Sequence, residues 1–179
     1  MRRSKSTMNY QVTMTGLLTI IGVVGRLLPH VPNVTPLGGM ANWSGSRLSW
    51  KASAGIIVTT MLVTDIFLGF HRTMPFVYVS FLFAAWISSR VKRVTPVTMA
   101  GVVLVNAVLF FLITNLGSWA VSQFYPHTWQ GLISAYAAGL PFFRLSLMGD
   151  AVYTAAFFGL EYVARHLASR ATPRAVITQ

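Results

Sequence analysis

Only three acids occur in the 179 residues: Asp65, Asp150 and Glu161. Each sits in an apolar run, where an ionised carboxylate is costly unless it meets a partner or water. Near Asp65 and Asp150 in the pattern stand Arg26, His30, Asn33, His71, Arg72, Asn115, His127 and Arg144. Carboxylates, guanidiniums and imidazoles in one place can hold the polar groups of a solute. They can equally pair with one another, Asp65 with Arg26 and Asp150 with Arg144. Glu161 stands four residues before Arg165, the spacing of a helical ion pair. Trp119, Phe124, Tyr125, Trp129 and Tyr136 add aromatic surface that serves either as an interfacial belt or as the wall of an amphipathic ligand.

Bond-breaking chemistry has no signature. There is no cysteine, hence no thiol nucleophile and no disulfide. No Gly-x-Ser-x-Gly, no Walker-type phosphate loop and no helical His/Glu zinc pair occurs. The Asp65/His71 spacing is not a metal pattern. No catalytic residue, metal ligand or cofactor is therefore assigned. An intramembrane enzyme using Asp65 or Asp150 as acid/base has no motif behind it.

The elements that must carry these residues are apolar helices. Hydrophobic residues make up 54% and charged residues 9%, against about 25% charged in a soluble domain. So few charges cannot cover a soluble surface of this size. The net charge of +11 invites a nucleic-acid reading, but the basic residues lie in short clusters between apolar runs, as membrane topology is written. Nucleic acid is excluded as a partner on that ground.

Runs near the ~20 residues that cross a bilayer predict spans at 10–28, 34–47, 52–70, 74–89, 95–116 and 145–163. Pro141 and Arg144 are expected to separate a short apolar helix, 129–140, from the last span. The span at 34–47 is short and rich in Gly, Ser and Asn, and is expected to be tilted or partly re-entrant. Arg2, Arg3 and Lys5, Arg47 and Lys51, Arg90, Lys92 and Arg93, and Arg165, Arg170 and Arg174 then alternate to one side. Arg26, Arg72 and Arg144 fall on the other. Positive-inside bias puts the first set, and both termini, in the cytoplasm. The expected fold is an all-α, polytopic six-helix membrane bundle in a single domain. Asp65, Asp150, three arginines and three histidines gather on its outer side, which suggests a polar pocket opening outward. Ala151, Ala155 and Gly159 on the last span, and Ala84/Ser88 and Ala85/Ser89 on the fourth, form small-residue stripes for close helix contact, most simply inside the bundle.

Several segments resemble a family of bacterial transport proteins. They are Leu-Leu-Pro-His-Val-Pro-Asn-Val-Thr-Pro at 27–36, Asp-Ile-Phe-Leu-Gly-Phe-His at 65–71, and Thr-Met-Pro-Phe-Val-Tyr at 73–78. Thr-Asn-Leu-Gly-Ser-Trp at 114–119, Tyr-Pro-His-Thr at 125–128, Leu-Pro-Phe-Phe-Arg at 140–144 and Gly-Asp at 149–150 complete the set. That family looks related to the S-components, the substrate-binding subunits, of energy-coupling-factor vitamin importers. The resemblance implies a six-helix bundle of the bacterial cytoplasmic membrane that takes a vitamin or similar small water-soluble compound from outside. It implies partnership with a coupling subunit and two ATPases. The usual Ala-xxx-Ala docking motif of the first helix is replaced here by Gly16, Thr19, Gly22 and Gly25.

The implied ligand contacts are His30, Asn33, Asp65, His71, Arg72, Tyr78, Asn115, Trp119, Tyr125, His127, Arg144 and Asp150. Loops 29–36, 71–78 and 115–130 and the bend at 141–150 carry them. Arg144 and Asp150 are expected to anchor polar groups. Arg144 and Arg72 would suit an anionic vitamin, and His71 would be a cobalt ligand only if the substrate were cobalamin. The alternative is a structural or assembly protein packed against a larger membrane complex.

Overall fold

The computed structural model describes residues 5–29 and 31–171. Among them six helices form and no strand: α1 (Lys5–Leu27), α2 (Leu37–Arg47), α3 (Trp50–Leu68), α4 (Met74–Ser89), α5 (Pro96–Val121) and α6 (Trp129–Ala171). Four are long and apolar enough to cross a membrane: α1 from Tyr10, α3, α5, and α6 as far as Leu167. Large apolar side chains such as Val12, Ile20, Ile66, Phe67, Leu104 and Val152 face outward, as a surrounding of lipid requires.

Local chemistry sets the ends. α1 stops two residues before Pro29, since the residue preceding proline disfavours helix. Ser49 caps α3, accepting from the Ala52 N–H at 3.2 Å. Gly69, at φ +89°, takes the left-handed turn that closes it. Thr95 and Thr98 form a reciprocal capping box on α5 around Pro96.

α2 is the centre of the bundle. Nine consecutive residues, Leu37 to Gly45, are buried, so no face is left for lipid. It packs on α4, α6 and α3, and more lightly on α5 and α1. Its glycines permit this. A Cβ on Gly39 would meet the backbone of Tyr153 and Thr154 at 2.7–2.9 Å, and one on Gly45 would meet the Ala85 carbonyl at 2.6 Å. At 11 residues α2 is about 16 Å long, half of a bilayer core. The expected span at 34–47 is thus a short central helix, preceded by non-helical backbone at 31–36.

α6 departs from expectation. It runs unbroken for 43 residues with Pro141 inside, about 65 Å, and joins the two pieces expected at 129–140 and 145–163. Proline removes one N–H and crowds one turn, but packing on both sides holds the helix through it. Phe111 of α5 meets Tyr136 before the proline and Phe143 after it, with ring centroids 5.6 and 5.2 Å apart, and the Tyr136 hydroxyl donates to the Leu112 carbonyl at 2.9 Å. Downstream, Gly39 of α2 lies against Tyr153.

Apolar contact alone drives little helix association in lipid, so polar links matter more than in water. Three clusters tie the bundle. Near one end, Arg26 meets Asp65 at 2.9 Å and donates to Thr64 at 2.7 Å, while Tyr78 donates to the other Asp65 oxygen at 2.7 Å. Mid-bundle, Asn42 donates to Thr154 at 2.9 Å and accepts from Asn106 at 2.8 Å and Ser88 at 3.2 Å. Near the far end, Glu161 Oε2 accepts from Trp43 and Arg47, each at 2.9 Å. Its Oε1 faces Arg165 at 2.5 Å, an ion pair without the alignment of a hydrogen bond. Glu161 therefore does more than the expected i,i+4 pairing, because it clamps α2 to α6. The α4 stripe packs inward at Ala84, Ala85 and Ser88, but Ala151, Ala155 and Gly159 are exposed and a Cβ on Gly159 would meet nothing. The expectation that this second stripe packs inside the bundle is wrong: α6 turns its other face, with Thr154, Phe157 and Glu161, to α2.

Candidate functional site

The short connections make successive helices antiparallel, so the α1–α2, α3–α4 and α5–α6 loops share one end of the bundle. A cavity of about 610 Å³ opens there. Asn33 and Thr35, His71 and Thr73, and Ser122, Phe124 and Tyr125 frame it, one set from each loop. It descends between α4, α5 and α6, past Leu37 and Gly38 at the start of α2, to Ala84 and Asn106. From Thr73 to Ala84 is eleven residues, about 16 Å of helix rise.

The wall is amphipathic. Phe110, Phe111, Phe142 and Phe143 give it aromatic faces. Asn106, Thr114 and Ser118 recur along α5, with Ser122 just past its end, and Gly139, Ser146 and Asp150 recur along one face of α6. Several wall groups already have partners: Ser80 donates to the Phe76 carbonyl, Thr114 to Phe110, Asn115 to Phe111, and the His71 ring bonds Thr73 at 2.8 Å. Three groups are different. Asn106 Oδ1 and Ser122 Oγ are buried without a hydrogen-bond partner, and Asp150 makes no hydrogen bond or ion pair among the described residues. The Asp150 carboxylate lies over Gly38, on the spot a Cβ would occupy. Glycine at 38 leaves room for it.

The residues expected at the site divide. Asn33, His71, Asn115, Tyr125 and Asp150 share the cavity wall. Asp65 and Tyr78 are not on it; they belong to the tie with Arg26. Trp119 and His127 meet edge to face at 5.6 Å and fold the α5–α6 loop, with the indole donating to the Pro126 carbonyl at 3.1 Å. Arg72 and Arg144 are exposed and off the cavity. At 100° per residue Arg144 points roughly 140° away from the α6 wall stripe, and it does not pair with Asp150. His30 lies outside the described residues. Among those described, no three His, Cys, Asp or Glu side chains gather as a metal site would require.

The sequence reading missed Gly38, Asn106, Phe110, Phe111, Phe142, Phe143 and Ser146 as wall residues; Arg26 was placed in the outer polar group but not among the ligand contacts. The signal for Asn106 was present: it opens a run of polar residues at spacings of eight and four along an otherwise apolar helix.

A family profile covers residues 6–173, nearly the whole chain. The chain belongs to the family of unknown function DUF6580. No curated protein and no solved structure matches it. For this DUF6580 member the cavity is the feature from which a function must be argued.

Proposed function

We propose that this DUF6580 protein is a membrane subunit that binds a small water-soluble compound and takes part in its uptake. The observation that carries the reading is the 610 Å³ cavity, within the range of small-molecule sites. Its wall joins aromatic side chains to polar groups, Asp150 among them, that have no partner among the described residues. A bundle that needed only to pack would gain by closing such a space.

The expected orientation puts the three cavity loops outside and the basic clusters inside the cytoplasm. The protein is then a multi-pass bundle of the bacterial cytoplasmic membrane, similar in plan to S-components of energy-coupling-factor importers, with release by conformational change. A coupling subunit with ATPases would supply energy, since the chain carries no phosphate loop. On α1, Gly22 and Gly25 are occupied by Met40 and Pro36, whereas Gly16 faces open space and is free to meet a partner.

One observation favours a second reading. The outward stripe Ala151, Ala155 and Gly159 suits close contact with another membrane helix, as in an assembly protein of a larger complex. A thermal-shift screen of purified protein against water-soluble vitamins, cobalamin and their precursors separates the two. A ligand at a hundred times its Kd raises stability by about 2.7 kcal/mol. No shift from any compound, with the protein folded, would refute the uptake reading in favour of assembly.

A further inference from the structure

Resting on that reading, we propose that the cavity takes an organic cation: a protonated amine carried on an apolar or aromatic body. The charges facing the cavity decide this. Arg26 reaches the wall, but its guanidinium is committed to Asp65 and Thr64. His71 bonds Thr73. Arg72 and Arg144, the cations that would have suited an anionic ligand, point elsewhere. Asp150 is left as the wall charge without a counter-charge among the described residues. An ionised group at membrane depth is expensive unless paired.

The Asp150 carboxylate lies over the first turn of α2, where the helix dipole carries about half a positive charge. That half charge is less than the full charge an ionised carboxylate carries, so it does not take the place of a counter-ion. The carboxylate lacks a donor, and an ammonium group supplies donors and charge together. Phe110, Phe111, Phe142 and Phe143 offer ring faces to a cation and apolar cover to its body.

Titration calorimetry on the full chain in lipid nanodiscs tests this with phenethylammonium, benzyltrimethylammonium and larger arylalkylammonium ions. Alcohols and carboxylates of matched body serve as comparisons. The ammonium ions are expected to bind and their neutral and anionic counterparts not. Asp150→Asn, shown folded by its melting curve, should weaken ammonium binding by roughly 10- to 100-fold, the worth of a charged hydrogen bond. A readout without mutation is carbodiimide labelling of the acids. Asp150 should label, Asp65 and Glu161 should not, and the ammonium ions but not the alcohols should protect Asp150. Equal binding of alcohol and ammonium, or affinity unchanged in Asp150→Asn, overturns the cation while leaving the uptake role intact. Absence of ammonium binding also overturns it, and the vitamin screen then decides the uptake role separately.

Discussion

Asn42 holds the middle of the bundle through three side-chain hydrogen bonds, to Thr154 at 2.9 Å, Asn106 at 2.8 Å and Ser88 at 3.2 Å. It is 1% exposed. Asn42→Leu keeps the side chain's bulk and removes all three. Hydrogen bonds between membrane helices average about 0.6 kcal/mol and reach about 1.7, so the substitution should cost about 2 kcal/mol. Partial rescue keeps it from being larger: Asn106 retains weaker bonds to the Ala84 carbonyl at 3.4 Å and to Ser88 at 3.3 Å. The pairwise term is cleaner than the total. In a double-mutant cycle of Asn42→Leu with Thr154→Val, unfolding in mixed micelles should give a coupling of about 0.6 kcal/mol. A coupling of zero, or an Asn42→Leu protein as stable as the parent, would refute the view that this network joins α2 to α5 and α6.

Glu161→Gln keeps an acceptor for Trp43 but leaves Arg47 and Arg165 without their counter-ion. Removing one partner of a buried pair costs 3–5 kcal/mol, and the exposed Arg165 sets the expected loss at about 3, read by the same unfolding assay. Gly39→Ala should destabilise by about 1–3 kcal/mol, because its Cβ meets the α6 backbone at 2.7 Å, while Gly159→Ala enters open space and should be neutral. Arg144→Ala should leave affinity for any cavity ligand unchanged, which calorimetry checks directly; weakened binding would place Arg144 at the site after all.

Helix positions were legible because apolar runs and the prolines between them are local signals; the Ser49 and Gly69 ends of α3 were not read, and the expected span 52–70 ran past Gly69. The pairing of Arg26 with Asp65 was legible as one of two options, and the structure takes it. Arg144 with Asp150, the parallel option, fails because residues six apart lie on different faces of a helix. The unbroken course of α6 was hidden because Pro141 is a local breaker overruled by distant contacts with α5 and α2. The enclosure of α2 was hidden for a related reason. Its Gly, Ser and Asn content reads as a weak span, whereas those small residues are what let five helices close around it. The cavity wall comes from five separate segments, and no stretch of sequence shows how they converge. Asp150 was read as an anchor on its charge alone; its lack of a partner is visible only in three dimensions.

The enclosure of α2 bears on how the chain enters a bilayer. α1 and α3 run in the same direction, because α2 reverses the chain between them. On the proposed six-span topology, the crossing between Leu27 and Trp50 is made by a segment with only 11 helical residues, six of them Gly, Ser or Asn. Such a segment is too short and too polar to partition into lipid unaided. Membrane insertion of the first three helices is then a concerted act, with α1 and α3 carrying α2 in between them. Its final burial waits for α4 and α6, which are synthesised later. Until then its amides and glycines face lipid, and a nascent chain halted before α6 should be the form most exposed to quality-control proteolysis.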